Sequence, residues 1–165
     1  MRASTFVGSV KNVSPLDVKV PVIGGHSGAT IIPVLSAIPF TFTDAERDAL
    51  VQRIQFGGDE VVKAKNGAGS ATLSMAYAGA RFVDSLLQAS VLKKTGITEC
   101  TYVNTNIVDG LDFFSTIVEL GVDGVEKIHP LPALSEYEQK LYAAAVPELK
   151  SSIEKGIDFV AKASL

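Results

Sequence analysis

The residues from 97 to 128 restrict the possible folds more than any other part of the chain. Residues 97–108 (ITECTYVNTNIV) are rich in β-branched and aromatic side chains, which favour a strand. A turn signal follows at Asp109 and Gly110, then a return strand from Phe113 to Leu120, then a second Asp-Gly turn at positions 123 and 124. Two turns between three such segments predict an antiparallel meander.

Helical patterns precede and follow this meander. Thr43 and Glu46 form a capping box that opens a predicted helix reaching about residue 64, and the glycine-rich residues 66–69 end it. Ser70 is predicted to cap the next helix. Its apolar residues recur at three- and four-residue steps on one face: Leu73, Ala76, Tyr77, Ala80, Val83 and Leu87.

A third long helix is predicted at the end of the chain. Ser135 and Glu138 form its capping box, and Pro147 is expected to kink or break the helix because proline lacks the N–H.

Near the start of the chain, the apolar residues within 3–12 have a weakly helical spacing. Residues 18–23 predict a strand that leads to a turn at Gly24 and Gly25, and residues 31–35 an extended piece, which Pro33 confines to an edge or an irregular strand.

These patterns predict an α+β fold, a twisted antiparallel sheet packed against long helices, and 165 residues suit a single domain over 1–165. No strand leads into a G-x-G-x-x-G turn. The glycine clusters at 24–28, 57–58 and 67–69 have the wrong spacing and context for one. A Rossmann-type phosphate cradle is therefore not expected in these residues.

Composition and charge argue against several other classes of protein. The net charge is −3, with acids and bases interspersed and no basic patch, so nucleic acid is not an expected partner. The longest apolar runs fall short of the ~20 residues that span a bilayer, so no membrane association is expected. No metal site is expected. Cys100, the single cysteine, lies in a strand-like stretch and is predicted to be buried rather than reactive.

Two residues are candidates for polar chemistry. His26 stands among glycines in residues 21–33 (PVIGGHSGATIIP), and an imidazole there can exchange a proton near neutral pH. The alternative is a histidine that only satisfies its loop. Arg2 could hold a carboxylate through two parallel hydrogen bonds, although a terminal arginine taken alone is usually a solvated charge.

Three segments resemble malate dehydrogenases of the mitochondrial, peroxisomal and enterobacterial branch. Residues 21–33 resemble the family's catalytic-histidine segment, and residues 66–76 (NGAGSATLSMA) resemble its G-G-G-S-A-T-L-S-M-A segment. Residues 2–7 (RASTFV) resemble the stretch that follows its L-D-x-x-R motif. The related lactate dehydrogenases carry G-E-H-G-D at the histidine, where this chain has GGHSG, so the resemblance favours malate as substrate.

The resemblance implies a role for each matching residue. His26 is expected to exchange the proton of the malate C2 hydroxyl while hydride passes to NAD, and Arg2 to hold the substrate carboxylate. Met75 is expected to touch the nicotinamide end of NAD, with Ser70 and Ala71 lining the pocket. Without the resemblance, Met75 would be predicted as core and Ser70 as a helix cap.

The resemblance covers the substrate-binding, C-terminal half of such an enzyme, and the NAD-binding half is expected to be absent. The family's aspartate three residues before the arginine, which orients the histidine, has no counterpart here, nor have two substrate-clamping arginines of the cofactor domain. The chain alone is therefore expected to be inactive.

Two alternatives to this enzymatic hypothesis were considered. One is a non-enzymatic folded module that associates with copies of itself, since loss of the cofactor domain would bare an apolar face. A hydrolase built on His26 and Ser27 is weaker, because adjacent residues of a turn rarely aim at each other.

The resemblance implies a homodimer in the full-length enzyme. It leaves the compartment open between an organelle matrix and the cytoplasm. The terminal Ala-Ser-Leu is close to a peroxisomal Ser-Lys-Leu address but lacks its basic residue.

Overall fold

The computed structural model describes residues 1–163, so the end of the Ala-Ser-Leu segment, Ser164 and Leu165, lies outside the described residues. Its helices are α1 (Arg2–Lys11), α2 (Asp44–Ala64), α3 (Thr72–Ser90) and α4 (Glu136–Ala163). Its strands are β1 (Val22–Gly24), β2 (Ile31–Pro33), β3 (Ile97–Asn104), β4 (Phe113–Gly121) and β5 (Gly124–Ile128).

Strand β4 is the centre of the sheet. It pairs antiparallel with β3 from Ile97↔Leu120 to Asn104↔Phe113, and its other edge carries β5 and, at Gly24↔Ser115, β1. Strand β2 pairs antiparallel with β1 at the end of the sheet, and it holds Pro33. The predicted meander, the edge position of Pro33 and the α+β class are all confirmed, and residues 1–163 form no Rossmann domain.

Both predicted capping boxes are present. The Glu46 N–H donates to Thr43 Oγ1 at 3.2 Å, and the Thr43 N–H donates back to Glu46 Oε2 at 2.9 Å. At the start of α4, the Glu138 N–H donates to Ser135 Oγ at 3.4 Å, and the Ser135 N–H donates to Glu138 Oε2 at 2.8 Å. Each box satisfies N–H groups that a helix start leaves without an intrahelical partner.

The buried apolar residues form three clusters. One joins α1 and α2 to the segments around β1 and β2, with Val7, Ile54 and Leu50 at its centre. A second packs α4 onto the sheet through Phe114, Ile23 and other buried side chains. A third, smaller cluster joins the end of α3 to β4 through Ala89, Val118 and Leu120.

Helix α3 differs from the sequence prediction in two ways. Its N-cap residue is Ala71, no side chain caps it, and so the predicted cap at Ser70 is wrong. The predicted apolar face is also not buried: Leu73 is 87% exposed and Tyr77 59% exposed. The sheet instead contacts a line of residues spaced four apart, in which Ser85 and Ala89 are buried.

Two further expectations are corrected in whole or in part. Of the kink or break expected at Pro147, the break does not occur: helix α4 continues to Ala163, and Ala145 and Leu149 on either side of the proline are buried in the core. Cys100 is exposed, since side chains of a strand alternate and the inward face of β3 is the one that carries Glu99. No helix within residues 1–163 has the length and apolarity to cross a membrane.

Candidate functional site

The loop that carries His26 connects β1 to β2 and is closed by Thr30. The Gly25 N–H donates to the Thr30 carbonyl oxygen at 2.9 Å. The fully buried Thr30 hydroxyl accepts from the Ser27 N–H at 3.2 Å and donates to the Ser27 carbonyl oxygen at 2.6 Å. Gly24 has φ of +97°, a conformation that glycine adopts without strain. His26 therefore stands in a loop whose backbone is held from both sides.

Two helices hold the same loop from outside. A Cβ atom on Gly25 would come within 3.0 Å of Leu149 Cδ1 of α4, and one on Gly28 within 3.1 Å of Phe56 Cε1 of α2. A Cβ atom on Gly25 would also come within 2.5 Å of Thr30 Oγ1, and Gly28 has φ of +43°, so a side chain at either position would strain the loop.

His26 itself is exposed, and its imidazole makes no hydrogen bond or ion pair with any residue from 1 to 163. Its ring is therefore accessible to a substrate, and no carboxylate of the described chain orients it. This is the arrangement expected of an acid/base group whose partners come from the substrate and from outside this domain.

Arg2, the first residue of α1, is half-buried and lies along α2 beside two glycines. A Cβ atom on Gly57 would come within 3.0 Å of Arg2 Cδ, and one on Gly58 within 3.5 Å of its Nη1. The guanidinium has no carboxylate partner within residues 1–163. It therefore keeps the donors that a substrate carboxylate would need.

One turn of α2, residues 55–58, brings the two candidates into the same neighbourhood. Gln55 Nε2 donates to the Ile31 carbonyl oxygen at 3.0 Å, Phe56 contacts the His26 loop at Gly28, and the next two residues contact Arg2. The sequence patterns did not identify these helix residues as part of the site. A signal for them was present in the adjacent glycines at 57 and 58, because glycine lowers helix stability and is unusual inside a helix unless a neighbour needs the space.

The other three candidates lie apart, on and just before α3. Ser70 is exposed, and its carbonyl oxygen accepts from Lys65 Nζ at 2.8 Å. Ala71 is half-buried, and Met75 is 59% exposed, so Met75 is not a core residue of this chain. No hydrogen bond or ion pair in residues 1–163 joins any of the three to His26 or Arg2.

The remaining features of the surface add no competing site. Residues 1–163 contain no group of three or more side chains that could hold a metal ion. A surface cavity of about 420 Å³ runs along α2 past Phe56 and Arg53, but neither His26 nor Arg2 lines it. A second cavity of about 290 Å³, beside Leu16 and Phe40, is not lined by His26 or Arg2 either.

The structure is thus an antiparallel α+β domain with an exposed histidine in a glycine-rich loop. Residues 1–160 match the family described as lactate/malate dehydrogenase, alpha/beta C-terminal domain. The chain belongs to this family. Within it, the similar curated proteins are malate dehydrogenases.

The mitochondrial malate dehydrogenase of Schizosaccharomyces pombe is 53% identical over 163 residues, which are 98% of this chain and 48% of that protein. The glyoxysomal malate dehydrogenase of Cucumis sativus is 48% identical over 97% of this chain and 45% of its own length. The apo malate dehydrogenase of Picrophilus torridus superposes with a TM-score of 0.78 at 29% identity, over 99% of this chain and 52% of that one. The chain thus spans about half the length of these relatives.

Proposed function

We propose that residues 1–165 are one domain, the substrate-binding and catalytic half of an NAD-dependent malate dehydrogenase that interconverts (S)-malate and oxaloacetate. One observation carries the proposal: the loop of His26 and the side chain of Arg2, neither of them paired within residues 1–163, both approach residues 56–58 of α2. A proton-transfer group beside a carboxylate-binding group is what a 2-hydroxy diacid requires.

The chain's own residues then have distinct tasks. His26 accepts the proton of the C2 hydroxyl when malate is oxidised and returns it to the oxaloacetate oxygen in the reverse direction. Arg2 holds the substrate carboxylate through its guanidinium and so fixes which face of C2 is presented. The rigidity of the Thr30-closed loop keeps the imidazole in place for both directions.

NAD, when bound, supplies the hydride acceptor. The described residues could contact only the nicotinamide end of NAD. Met75 has an exposed side chain on α3, and Ser70 and Ala71 lie just before that helix. Residues 1–163 offer no glycine-rich cradle for its phosphates. A separate NAD-binding domain is therefore part of the proposal.

The proposal also covers assembly and location. A homodimer is proposed for the full-length enzyme, as the family resemblance implies. The names of the similar proteins favour a mitochondrial or glyoxysomal location over the cytoplasm.

Supplying the missing half should create activity. The chain alone, mixed with NAD and malate, is expected to produce no NADH. A two-domain protein is then made by joining to residue 1 the half of the S. pombe relative that this chain does not cover. It is expected to reduce NAD with kcat on the order of 1–10³ s⁻¹. NADH absorbance at 340 nm is the measurement.

The supplied half alone is the control, because it lacks both His26 and Arg2. A folded two-domain protein that binds NAD but oxidises no malate would contradict the proposal. So would full turnover by the 165-residue chain without the added half.

Arg2 should determine the affinity for substrate. In the two-domain protein, Arg2→Gln is expected to raise KM for malate about 10–100-fold, the equivalent of losing a charged, bidentate hydrogen bond. Arg2→Lys keeps the positive charge but loses the two parallel donors of the guanidinium. Its KM for malate should therefore lie between those of Arg2→Gln and the parent. Arg47→Gln, which removes a guanidinium paired with Asp44 and Asp48 at the start of α2, is the matched control. Equal KM values for Arg2→Gln and the control would exclude Arg2 from the substrate site.

A second candidate function is a self-associating module without enzymatic activity. The exposed apolar face of α3 favours it, with Leu73 87% and Met75 59% exposed. Sedimentation of the chain alone separates the two functions when combined with the assay above. Association without any restored activity in the two-domain protein would leave only the module.

A further inference from the structure

Helix α3 is attached to the sheet through only its C-terminal half. Ser85 and Ala89 are its buried residues, and Leu86 packs with the small cluster under the helix. The N-terminal half is exposed, and no hydrogen bond or ion pair in residues 1–163 links positions 73–80 to another element. That half nevertheless carries Met75, the residue proposed to meet the cofactor.

Glu99 is the polar anchor of this helix on the sheet. Its carboxylate is 9% exposed on the inward face of β3, where it accepts from Ser85 Oγ at 2.7 Å and from Arg81 Nη2. Strand β3 is paired with β4 along its whole length, with Glu99 opposite Val118, so the carboxylate is a fixed point. Two donors one helical turn apart on one fixed carboxylate restrain both the rotation and the tilt of α3.

The anchor lies close to the exposed half of the helix. Arg81 is six residues after Met75, which is about 9 Å along a helix axis. A small change in the direction of α3 at Arg81 would therefore move Met75 by a comparable angle around the anchor. An ion pair that did not set the direction of the helix would affect only the stability of the fold.

We propose that Glu99 is a positioning residue: by holding Arg81 and Ser85, it sets the direction of α3 and thereby places Met75 against the nicotinamide end of the cofactor. The last step rests on the proposed function. The anchoring of the exposed half of α3 does not depend on the proposed function. The anchoring and the placement of Met75 therefore each have their own experiment.

The first experiment uses the 165-residue chain and needs no activity. Amide hydrogen exchange at residues 73–80 is expected to be about tenfold faster in Glu99→Gln than in the unaltered chain, while the amides of β4 keep their protection. Arg81→Gln removes the same contact from its half-exposed side and should give the same pattern even if Glu99→Gln folds poorly. Unchanged exchange at residues 73–80 in Arg81→Gln would overturn the anchoring.

The second experiment uses the two-domain protein. Glu99→Gln is expected to raise KM for NAD about tenfold with a smaller effect on KM for malate, because Met75 contacts the cofactor. In a Met75→Ala background the same substitution should change KM for NAD by no more than about twofold, since the two residues act on one contact. Additive effects of the two substitutions would contradict positioning through Met75.

Asp84→Asn is the matched control in both experiments. It also converts a carboxylate to an amide, but the Asp84 carboxylate accepts from Gln88 of the same helix, at 2.6 Å, and makes no hydrogen bond or ion pair with a strand of residues 1–163. It should leave exchange and KM unchanged. If the two-domain protein itself is inactive, the proposed function fails, and the exchange experiment still decides whether Glu99 anchors the helix.

Discussion

Asparagine in place of His26 should lower kcat of the two-domain protein by about 10³-fold, within the range that a positioned acid/base group contributes. Asparagine matches the imidazole in polarity and approximate size but cannot take up the C2 hydroxyl proton. The loop should keep its shape, because Thr30 and not His26 closes it. The loss should therefore appear in kcat, with little change in the affinity for NAD.

The matched control is His129→Asn, the other histidine of the chain. His129 Nε2 lies 3.7 Å from a Glu119 carboxylate oxygen and follows β5, which pairs with β4 and not with the two strands that flank the His26 loop. It should keep kcat within about threefold of the parent, an effect of the size that small stability changes produce. Stopped-flow measurement of the first turnover shows whether the proton-transfer step, rather than product release, is slowed.

Two results would remove His26 from the proposed mechanism. One is a His26→Asn protein that retains kcat near that of the parent. The other is an equal loss in His129→Asn, which would point to a general effect on folding. Circular dichroism of both variants checks that the fold is intact.

The largest effect on stability is expected at Glu138. Four donors converge on this carboxylate, which is 3% exposed: the N–H and hydroxyl of Ser36 at 2.9 and 2.5 Å, and those of Ser135, both at 2.8 Å. Glu138→Gln replaces a carboxylate, which only accepts, with an amide. The N–H donors of that amide would face the donors of Ser36 and Ser135. We expect a loss of about 3 kcal/mol in the free energy of unfolding, measured by urea denaturation of the chain at pH 7.

The effect of Glu138 should also depend on pH. Burial acts to raise the pKa of its carboxyl, but the hydrogen bonds from Ser36 and Ser135 outweigh burial and lower that pKa below its ordinary value of 4.5. A carboxyl with a lowered pKa stabilises the fold above its ordinary pKa, and this stabilisation is lost as the pH falls through the folded value. The difference in the free energy of unfolding between the parent chain and Glu138→Gln should therefore be largest at pH 6–7 and should become smaller below about pH 4.5.

Glu136→Gln is the matched control for this prediction. Glu136 lies in the same first turn of α4 but is exposed and has no hydrogen bond within the described residues. Its substitution should change the free energy of unfolding by about 0.5 kcal/mol or less. A Glu138→Gln chain as stable as the control, or a difference between them that grows at low pH, would contradict the role assigned to the carboxylate.

The local elements were largely predictable because they depend on local interactions. The Asp-Gly turns of the meander and the two capping boxes involve residues within a few positions of each other, so residue type and spacing suffice to identify them. The same holds for Pro33, whose missing N–H excludes a central strand wherever the chain folds. The motifs of the histidine and α3 segments identified the family for a similar reason.

Three predictions failed because they required knowledge of what packs against each element. The spacing of Leu73, Tyr77 and Leu87 marks an apolar face but not which face meets the sheet, and the sheet meets the line of Ser85 and Ala89. Cys100 was predicted as buried from apolar neighbours, whereas the register of β3 turns Glu99 inward instead. Of the kink or break predicted at Pro147, the break does not occur, since residues on both sides of the proline are buried in the core.

The sequence by itself determined the α+β class, the meander, the family and the residue types that could transfer a proton or hold a carboxylate, since each follows from local pattern. Only the tertiary structure decided that residues 55–58 of α2 bring the Arg2 and His26 segments together, and that Glu99 anchors α3. Those contacts join residues distant in the chain. Their geometry depends on how helices and sheet pack, which the order of the amino acids does not display.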